Sequence, residues 1–270
     1  MVGAHSVEDD QKIPINQVGV SDLHYPITVM DPNGTDGKQR TVANFLMTVS
    51  LPHHFKGTHM SRFIEVLNKH QGEVTMRTLP EILHSLKKQL DAEMARVEVT
   101  FPYFIKKKAP VSKAPSLMEY ACTFVGESNE VGDDFVFNVK VPITSLCPCS
   151  KEISDRGAHN QRGYVTIESR SCRDVDGNPE IIWIEELIEV AESSASAPVF
   201  ALLKREDEKA VTEMAYDKPA FVEDIVRDVA QQMMADRRVD WFRVNVVNHE
   251  SIHNHNAFAK IEWERRQKGA

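Results

Sequence analysis

Apolar and polar positions alternate along much of this 270-residue chain, and at several points the apolar spacing changes to that of a helix. Between positions 25 and 51, two alternating runs flank residues 31–37, a segment whose Pro, Asn and Gly residues suit a tight turn. The pattern predicts a β-hairpin there. Residues 1–22 carry no sustained periodicity, so we predict an N-terminal arm and expect order to begin near Leu23.

The segment after the hairpin changes to helical spacing. A first predicted helix places four apolar side chains on one face, namely Met60, Phe63, Ile64 and Leu67. A second helix is predicted to begin at Thr78, whose hydroxyl is expected to cap the backbone while Glu81 reaches back to it. Alternation returns at 96–105 and 118–124, so the first half of the chain is predicted to be ββααββ.

The second half of the chain follows the same order loosely. In chain order, its predicted elements are strands 135–143 and 163–168, helices 184–191 and 221–237, and strands 239–247 and 257–263. We therefore predict an α+β fold of two tandem ββααββ units, at 23–125 and 126–270, with most candidate metal-site residues in the second. Sheets of this kind have open edges that oligomerisation commonly closes, so we also expect a homo-oligomer.

Composition narrows the class of protein. The chain is 41% hydrophobic, enough for a sizeable core, and its formal net charge of -8 argues against nucleic-acid and anionic-membrane partners. Its first residues do not resemble a signal peptide, and no apolar run reaches the roughly 18 residues of a membrane span, so we expect a cytoplasmic protein. The four cysteines are too few for a disulfide framework, which leaves free thiols or metal ligands.

The clearest candidate chemistry is a pair of cysteines at a predicted strand end, Cys147 and Cys149, followed by His159. Thiolate and imidazole together suit Zn²⁺, and an added carboxylate would admit Fe²⁺ or Mn²⁺. Because Pro148 stiffens the link between the two cysteines, we expect one to bind the metal and the other to act nearby as a nucleophile or proton donor. The alternative is two small buried cysteines beside an exposed loop histidine.

A second candidate site is the histidine-rich turn 249–255 between two apolar strands. Imidazole titrates near neutral pH, so His253 and His255 are candidates for proton transfer, with metal binding as the rival function and a solvated loop as the alternative. Two carboxylates also stand out. Glu208 lies in a run of charges typical of an exposed loop, and Glu223 lies near a helix start, where the helix dipole alone would favour it.

Basic side chains near predicted element ends are candidates for holding phosphates. Lys56, His59 and Arg62 surround the start of the first helix, whose free N–H groups favour anions. The lysine run 106–108 is the rival, although such a run more often marks a solvated strand end. The chain contains no Walker motif, which argues against phosphoryl transfer by a P-loop enzyme.

Five segments, taken in order, resemble the prokaryotic GTP cyclohydrolases of type IB: residues 14–19, 56–63, 145–154, 157–162 and 250–255. The resemblance runs over nearly the whole chain, and its segment SLCPCSKEIS is far more specific than a lone ligand pair. It implies a tunnelling fold of two ββααββ units per subunit, assembled as a homotetrameric barrel with active sites at subunit interfaces. It also implies conversion of GTP and water to 7,8-dihydroneopterin triphosphate and formate, the first step of tetrahydrofolate biosynthesis.

The resemblance also assigns a metal site. It implies a divalent ion, either zinc, manganese or iron, held by Cys149, His159 and Glu208. Three protein ligands would leave a position for a water molecule that attacks C8 of the purine. The expectation from the charge run alone, that Glu208 is only a surface residue, is reversed by the resemblance.

The other candidate residues receive roles in binding and catalysis. The resemblance implies that Glu223 accepts the N1–H and 2-amino groups of guanine, and that the catalytic residues are Cys147, Glu223, His253 and His255. From charge and position alone, we predict that the triphosphate is contacted by Lys56, His59 and Arg62. The alternatives are another purine or pterin enzyme of the same fold, and a non-catalytic oligomer that binds metal or purine.

Overall fold

The structure is a computed structural model that describes residues 13–70, 74–75, 78–175 and 177–265. Nine β-strands and six α-helices lie within these residues. The strands are β1 (Ile15–Met30), β2 (Lys38–Leu51), β3 (Ala95–Lys108), β4 (Pro115–Ser128), β5 (Asp133–Leu146), β6 (Asn160–Ser171), β7 (Ala197–Pro198), β8 (Val239–Asn248) and β9 (Ala257–Glu264). The helices are α1 (Met60–Lys69), α2 (Leu79–Leu90), α3 (Pro148–Ile153), α4 (Ile184–Ser194), α5 (Arg205–Asp217) and α6 (Val222–Ala235).

All nine strands belong to one antiparallel sheet, in the order β1-β2-β3-β4-β5-β6-β8-β9, and the short β7 pairs with β5. The chain divides into two compact units. Unit 1 comprises Met1–Pro102 and Cys122–Phe137, and unit 2 comprises Tyr103–Ala121 and Asn138–Ala270. The predicted domain boundaries, with an arm at 1–22 and units at 23–125 and 126–270, stay a prediction.

The predicted hairpin near the N-terminus is confirmed. Strands β1 and β2 pair in register from Met30 opposite Lys38, and the turn between them is closed by a bond from the Asp31 N–H to the Gly37 carbonyl at 3.0 Å. Gly37 has a φ of 70°, which glycine adopts without strain. Strand β1 begins at Ile15, earlier than the predicted start of order, while residues 1–12 of the predicted arm lie outside the described residues.

Both helices predicted for unit 1 are confirmed by their buried faces. Helix α1 buries Phe63, Val66 and Leu67, and α2 buries four leucine or isoleucine side chains, Leu79, Ile82, Leu83 and Leu86. The predicted cap at Thr78 is wrong, because no bond joins its side chain to the start of α2. Its hydroxyl oxygen instead accepts the Thr75 N–H at 2.9 Å.

The core of unit 2 lies around helix α6, which contacts α4, β8 and β9. The predicted spacing is confirmed, since Ile225, Val229 and Met233 of α6 are buried. The start of this helix is closed by the Asp224 carboxylate, which accepts the Phe221 N–H at 3.0 Å. Strands β8 and β9 pair from Asn248 opposite Ala257 onward. The turn 249–256 that joins them follows the end of β8, beside the end of β5 and the start of β6.

The fold prediction of two tandem ββααββ units is wrong. The second half of the chain runs β5, α3, β6, α4, β7, α5, α6, β8 and β9, so it has elements that a second ββααββ unit does not contain. Helices α3 and α5 carry few buried side chains, none in α3 and only Asp207 and Ala215 in α5. Apolar periodicity therefore did not predict them as helices. In the described ranges, no helix is both long and apolar enough to cross a membrane.

Candidate active site

The candidate cysteines lie where helix α3 leaves the end of β5 and returns to the start of β6. The two strand ends are joined by a bond from the Cys147 N–H to the His159 carbonyl at 3.1 Å. Ser150 links the same two residues, because its hydroxyl donates to the Cys147 carbonyl at 3.1 Å and its oxygen accepts the His159 N–H at 3.2 Å. The Cys147 sulfur accepts the Ser150 N–H at 3.5 Å and is half-buried, whereas Cys149 is exposed.

The His159 imidazole is mostly buried, with 12% of its side chain exposed. Its Nδ1 lies 2.9 Å from Oε1 of Gln161, 3.5 Å from Oγ of Ser251 and 4.0 Å from Oε2 of Glu250. The His253 ring lies edge-on to it, with centroids 6.4 Å apart, and His253 stacks on His255 at 5.2 Å. The structure therefore brings His159 together with both histidines predicted for proton transfer.

Beneath His159 lies a network of buried polar side chains. The Ser145 hydroxyl donates to the Ala220 carbonyl at 3.0 Å, and its oxygen accepts amide hydrogens from Gln161 at 3.5 Å and Asn248 at 3.0 Å. Gly163 is required here by close approach, since a Cβ at this position would lie 2.4 Å from Oδ1 of Asn248. The network holds the ends of β5, β6 and β8 in fixed relation.

Glu208 lies in the first turn of α5, so the charge run around it forms a helix and not the predicted loop. Its side chain is exposed, but the neighbouring Asp207 is fully buried. One Asp207 oxygen accepts the N–H groups of Val111 and Ser112 at 2.9 and 2.8 Å. The other accepts the Ser112 hydroxyl at 2.6 Å and the Lys204 N–H at 2.9 Å.

These bonds decide the charge state of Asp207. Burial by itself would raise the pKa of the Asp207 carboxyl, but the hydrogen bonds from Ser112, Lys204 and Val111 outweigh burial and hold the pKa below its ordinary value of 3.8. A charged carboxylate with four donors therefore anchors the start of α5, the helix that carries Glu208.

Glu223 lies in the first turn of α6, and its side chain is exposed. Ala220, two residues before the helix start, is bound on both sides to the end of β5. Its N–H donates to the Leu146 carbonyl at 3.1 Å, and its carbonyl accepts the Ser145 hydroxyl. The start of α6 is therefore held at the same strand end as Cys147.

The predicted triphosphate residues, Lys56, His59 and Arg62, lie in unit 1. Lys56 and Arg62 are exposed, and His59 directly precedes α1 without capping it through its side chain. The Arg62 guanidinium donates to the Gln89 carbonyl at 2.7 Å, near the C-terminal end of α2. Their contact with a triphosphate stays a prediction.

The donor types of the predicted metal site suit a divalent ion, because thiolate, imidazole and carboxylate are all ligands of Zn²⁺, Mn²⁺ or Fe²⁺. In the part of the chain that the structure describes, no group of three or more His, Cys, Asp or Glu side chains is placed to hold a metal ion. Both Cys149 and Glu208 are exposed side chains at helix starts. The ligand set of Cys149, His159 and Glu208 stays a prediction.

Sequence reasoning assigned no role to the polar residues that hold this site together, Ser145, Gln161, Asp207, Asn248 and Glu250. Four of them are buried, and Glu250 has 13% of its side chain exposed. The available signal was the position of Ser145, Gln161 and Glu250 inside segments already singled out by resemblance. Asp207 and Asn248 gave no such signal.

A sequence model of the family described as "Type I GTP cyclohydrolase folE2" matches residues 1–259. The chain belongs to this family. Among the FolE2 proteins, it is 55% identical to "GTP cyclohydrolase FolE2" of Syntrophotalea carbinolica, over 97% of this chain and 95% of that protein. It is 53% identical to the protein of the same name in Nitrosococcus oceani, over 95% of this chain and 93% of that protein.

Solved structures similar to this FolE2 chain include uricases. A uricase from Arthrobacter globiformis has a TM-score of 0.54 at 8% identity, covering 94% of this chain and 95% of that one. A urate oxidase from Bacillus sp. TB-90 has a TM-score of 0.55 at 11% identity, covering 93% and 100%. At such low identity the similarity shows the fold alone. The likeness to the uricase fold replaces the predicted tunnelling fold of two ββααββ units.

Proposed function

We propose that this chain is a GTP cyclohydrolase of type IB that converts GTP and water to 7,8-dihydroneopterin triphosphate and formate in tetrahydrofolate synthesis. The observation that supports this reaction most directly is the convergence of His159, Glu250 and His253 at the ends of neighbouring strands. Hydrolysis of a purine ring needs several proton transfers, and acid–base side chains gathered at one place can perform them directly or through a water molecule. The FolE2 relatives carry the name of this activity.

We propose Cys149, His159 and Glu208 as the ligands of a divalent zinc, manganese or iron ion. The donor chemistry supports this set, and His159 is the member that is already held in place by bonds to its backbone and ring. Such an ion, when bound, would supply Lewis acidity that lowers the pKa of a water molecule. Cys149 and Glu208 are both exposed, so neither side chain is fixed by packing in the core.

Proton transfer is assigned to the side chains around His159. The Glu250 carboxylate is largely buried and accepts a hydrogen from the Gln161 amide at 3.4 Å, so it is oriented beside the imidazole. His253 and His255 are stacked and exposed, which lets them exchange protons with solvent as the purine ring opens. Cys147, half-buried at the same strand end, is proposed as a further proton donor or nucleophile.

Recognition of guanine is assigned to Glu223. A carboxylate has acceptors for both the N1–H and the 2-amino group of guanine, whereas adenine has no hydrogen at N1 and no 2-amino group. The bonds of Ala220 to Ser145 and Leu146 hold the start of α6 at the strand end that carries Cys147. Triphosphate contacts by Lys56, His59 and Arg62, a homotetrameric assembly and a cytoplasmic location stay predictions.

The proposed reaction is tested by incubating purified protein with GTP and Zn²⁺, Mn²⁺ or Fe²⁺ while formate and a fluorescent pterin are measured. We expect one formate per GTP consumed, no reaction with ATP, and no release of phosphate. Intact GTP with all three metals would contradict the proposal. Glu223→Gln should lower the preference for GTP over ATP while metal affinity stays near that of the wild type, because we assign Glu223 to the base and not to the ion.

A further inference from the structure

We infer that Gln161 is a positioning residue that holds His159 in one tautomer, with the ring proton on Nδ1 and the lone pair on Nε2. This inference rests on the proposed function only where His159 is taken as a metal ligand. The tautomer itself follows from a chain of hydrogen bonds whose donors and acceptors can be assigned one after another, beginning at a backbone carbonyl.

The chain of bonds begins at Ala220, whose carbonyl can only accept. The Ser145 hydroxyl lies 3.0 Å from this carbonyl and therefore donates its single hydrogen to it. Toward its other neighbours the Ser145 oxygen must accept. The group that faces it from Gln161, at 3.5 Å, is consequently the amide NH₂ and not the amide oxygen.

A second contact fixes the same orientation of the amide. Nε2 of Gln161 also lies 3.4 Å from a carboxylate oxygen of Glu250, which is an acceptor when ionised. Both neighbours of Nε2 therefore require a donor at this position. The amide oxygen of Gln161 is left facing the His159 ring, 2.9 Å from Nδ1.

The orientation of the Gln161 amide decides the state of the imidazole. An amide oxygen only accepts, so Nδ1 of His159 must carry a hydrogen, and a neutral ring then has its lone pair on Nε2. Histidines that bind metals commonly donate their other ring N–H to such a partner, which fixes the ring and the tautomer. Gln161 and Ser145 are 7% and 1% exposed, so water does not readily replace these bonds.

The backbone of His159 is held as firmly as its ring. Its N–H donates to the Ser150 oxygen and its carbonyl accepts the Cys147 N–H. The position of His159 at the strand end therefore does not depend on the bond between its ring and Gln161. A substitution that removes the acceptor at position 161 should change the tautomer without displacing the residue.

The inference is tested by ¹⁵N NMR of metal-free protein labelled at histidine, at a fixed pH where the ring is neutral. His159 is assigned by comparison with a His159→Gln variant. We expect the wild-type protein to show a protonated Nδ1 and an unprotonated Nε2. A wild-type His159 with its proton on Nε2 would overturn the inference, and this measurement needs no folded variant at position 161.

Two variants show whether Gln161 is the residue responsible. Gln161→Leu removes the acceptor at 2.9 Å and leaves near Nδ1 only the Ser251 oxygen at 3.5 Å and the Glu250 carboxylate at 4.0 Å, so we expect a mixture of the two tautomers. Gln161→Glu retains the close acceptor and should retain the Nδ1–H form. A pure Nδ1–H form in Gln161→Leu would overturn the inference. Gln232→Leu is the matched control, since it removes an amide bond to Ser194 that measures 3.0 Å, and it should leave the His159 signals unchanged.

Zinc titration of the same proteins separates this inference from the proposed function. We expect Gln161→Leu to bind Zn²⁺ about 10 to 100 times more weakly than the wild type, with Gln161→Glu in between. Unchanged affinity in a variant whose tautomer has changed would refute His159 as a metal ligand while the positioning inference stands. Absence of GTP turnover in the wild type would likewise refute the proposed reaction, but it would leave the inference about the His159 tautomer standing.

Discussion

Helices α2 and α5 are of similar length but are held in place by different forces. Helix α2, in unit 1, buries four large apolar side chains, whereas α5, in unit 2, buries only Asp207 and Ala215. The hydrophobic effect holds the first, at about 1.5–3 kcal/mol per buried leucine. Directional bonds to one carboxylate anchor the start of the second. A helix anchored by one carboxylate can present charged residues such as Glu208 to solvent.

The largest effect on stability is expected from truncating the apolar face of α2. Leu83→Ala deletes a fully buried side chain and should lower the free energy of unfolding by about 2–5 kcal/mol, measured by urea denaturation. Leu117→Ala is the control, because that side chain is 64% exposed and its loss should cost little. Turnover of GTP per folded molecule should stay unchanged in both. Equal stability of the two variants would contradict the assignment of Leu83 to the core.

Replacing Asp207, which anchors the start of α5, is expected to cost less stability than Leu83→Ala but more activity. Asp207→Asn keeps only one of the two acceptor oxygens, so part of its set of four donors loses a partner. Hydrogen exchange should speed up in the first turn of α5, and GTP turnover should fall roughly 10- to 100-fold because Glu208 is displaced. Unchanged exchange in α5 would show that Asp207 does not anchor it.

The contribution of Asp207 should also depend on pH in one direction. Its pKa is lower in the folded protein than the ordinary 3.8, so the unfolded chain binds the proton first as pH falls. The stabilising contribution is therefore complete above about pH 5 and is lost as pH drops below about 4. The stability difference between wild type and Asp207→Asn, measured by denaturation from pH 7 to 3, should shrink only at the acid end. A constant difference down to pH 3 would contradict the lowered pKa.

The smallest effect is expected on the outer face of α5. Lys209 and Glu213 form an ion pair at 3.6 Å, but their side chains are 75% and 61% exposed. Exposed pairs of this kind contribute little, so Lys209→Ala should change the free energy of unfolding by less than about 0.5 kcal/mol. A large loss in the same denaturation assay would mean that α5 depends on its surface charges as well as on Asp207.

Helices α2 and α5 also differ in how well the sequence predicted them. Helices α1, α2 and α6 were predicted because their apolar side chains recur at helical spacing. Helices α3 and α5 have almost no such pattern, and the order of elements in the second half was wrongly read as a repeat of the first. Local periodicity carries no information about a segment held by a few polar bonds.

The candidate residues were predicted partly from residue type and spacing, which singled out Cys147, Cys149, His159, His253 and His255, and partly from resemblance, which added roles for Glu208 and Glu223. The structure places Cys147, His159 and His253 close together at the ends of neighbouring strands, although their roles stay predictions. The bonds that hold them join residues distant in sequence, such as Ser145 with Asn248, and no spacing rule connects two such positions. Glu250 and Gln161 lie in segments that carry the resemblance, but their contacts with His159 could be found only from the structure.

The central claim is that the residues around His159 at the ends of β5, β6 and β8 carry out hydrolysis of GTP. It is tested most directly by measuring formate released per second from GTP by metal-loaded wild type and Glu250→Gln, with the exposed Glu189→Gln as control. We expect one formate per GTP in the wild type and the control, and a loss of about 10²- to 10⁴-fold in Glu250→Gln with unchanged stability. Wild-type turnover in Glu250→Gln would contradict the account.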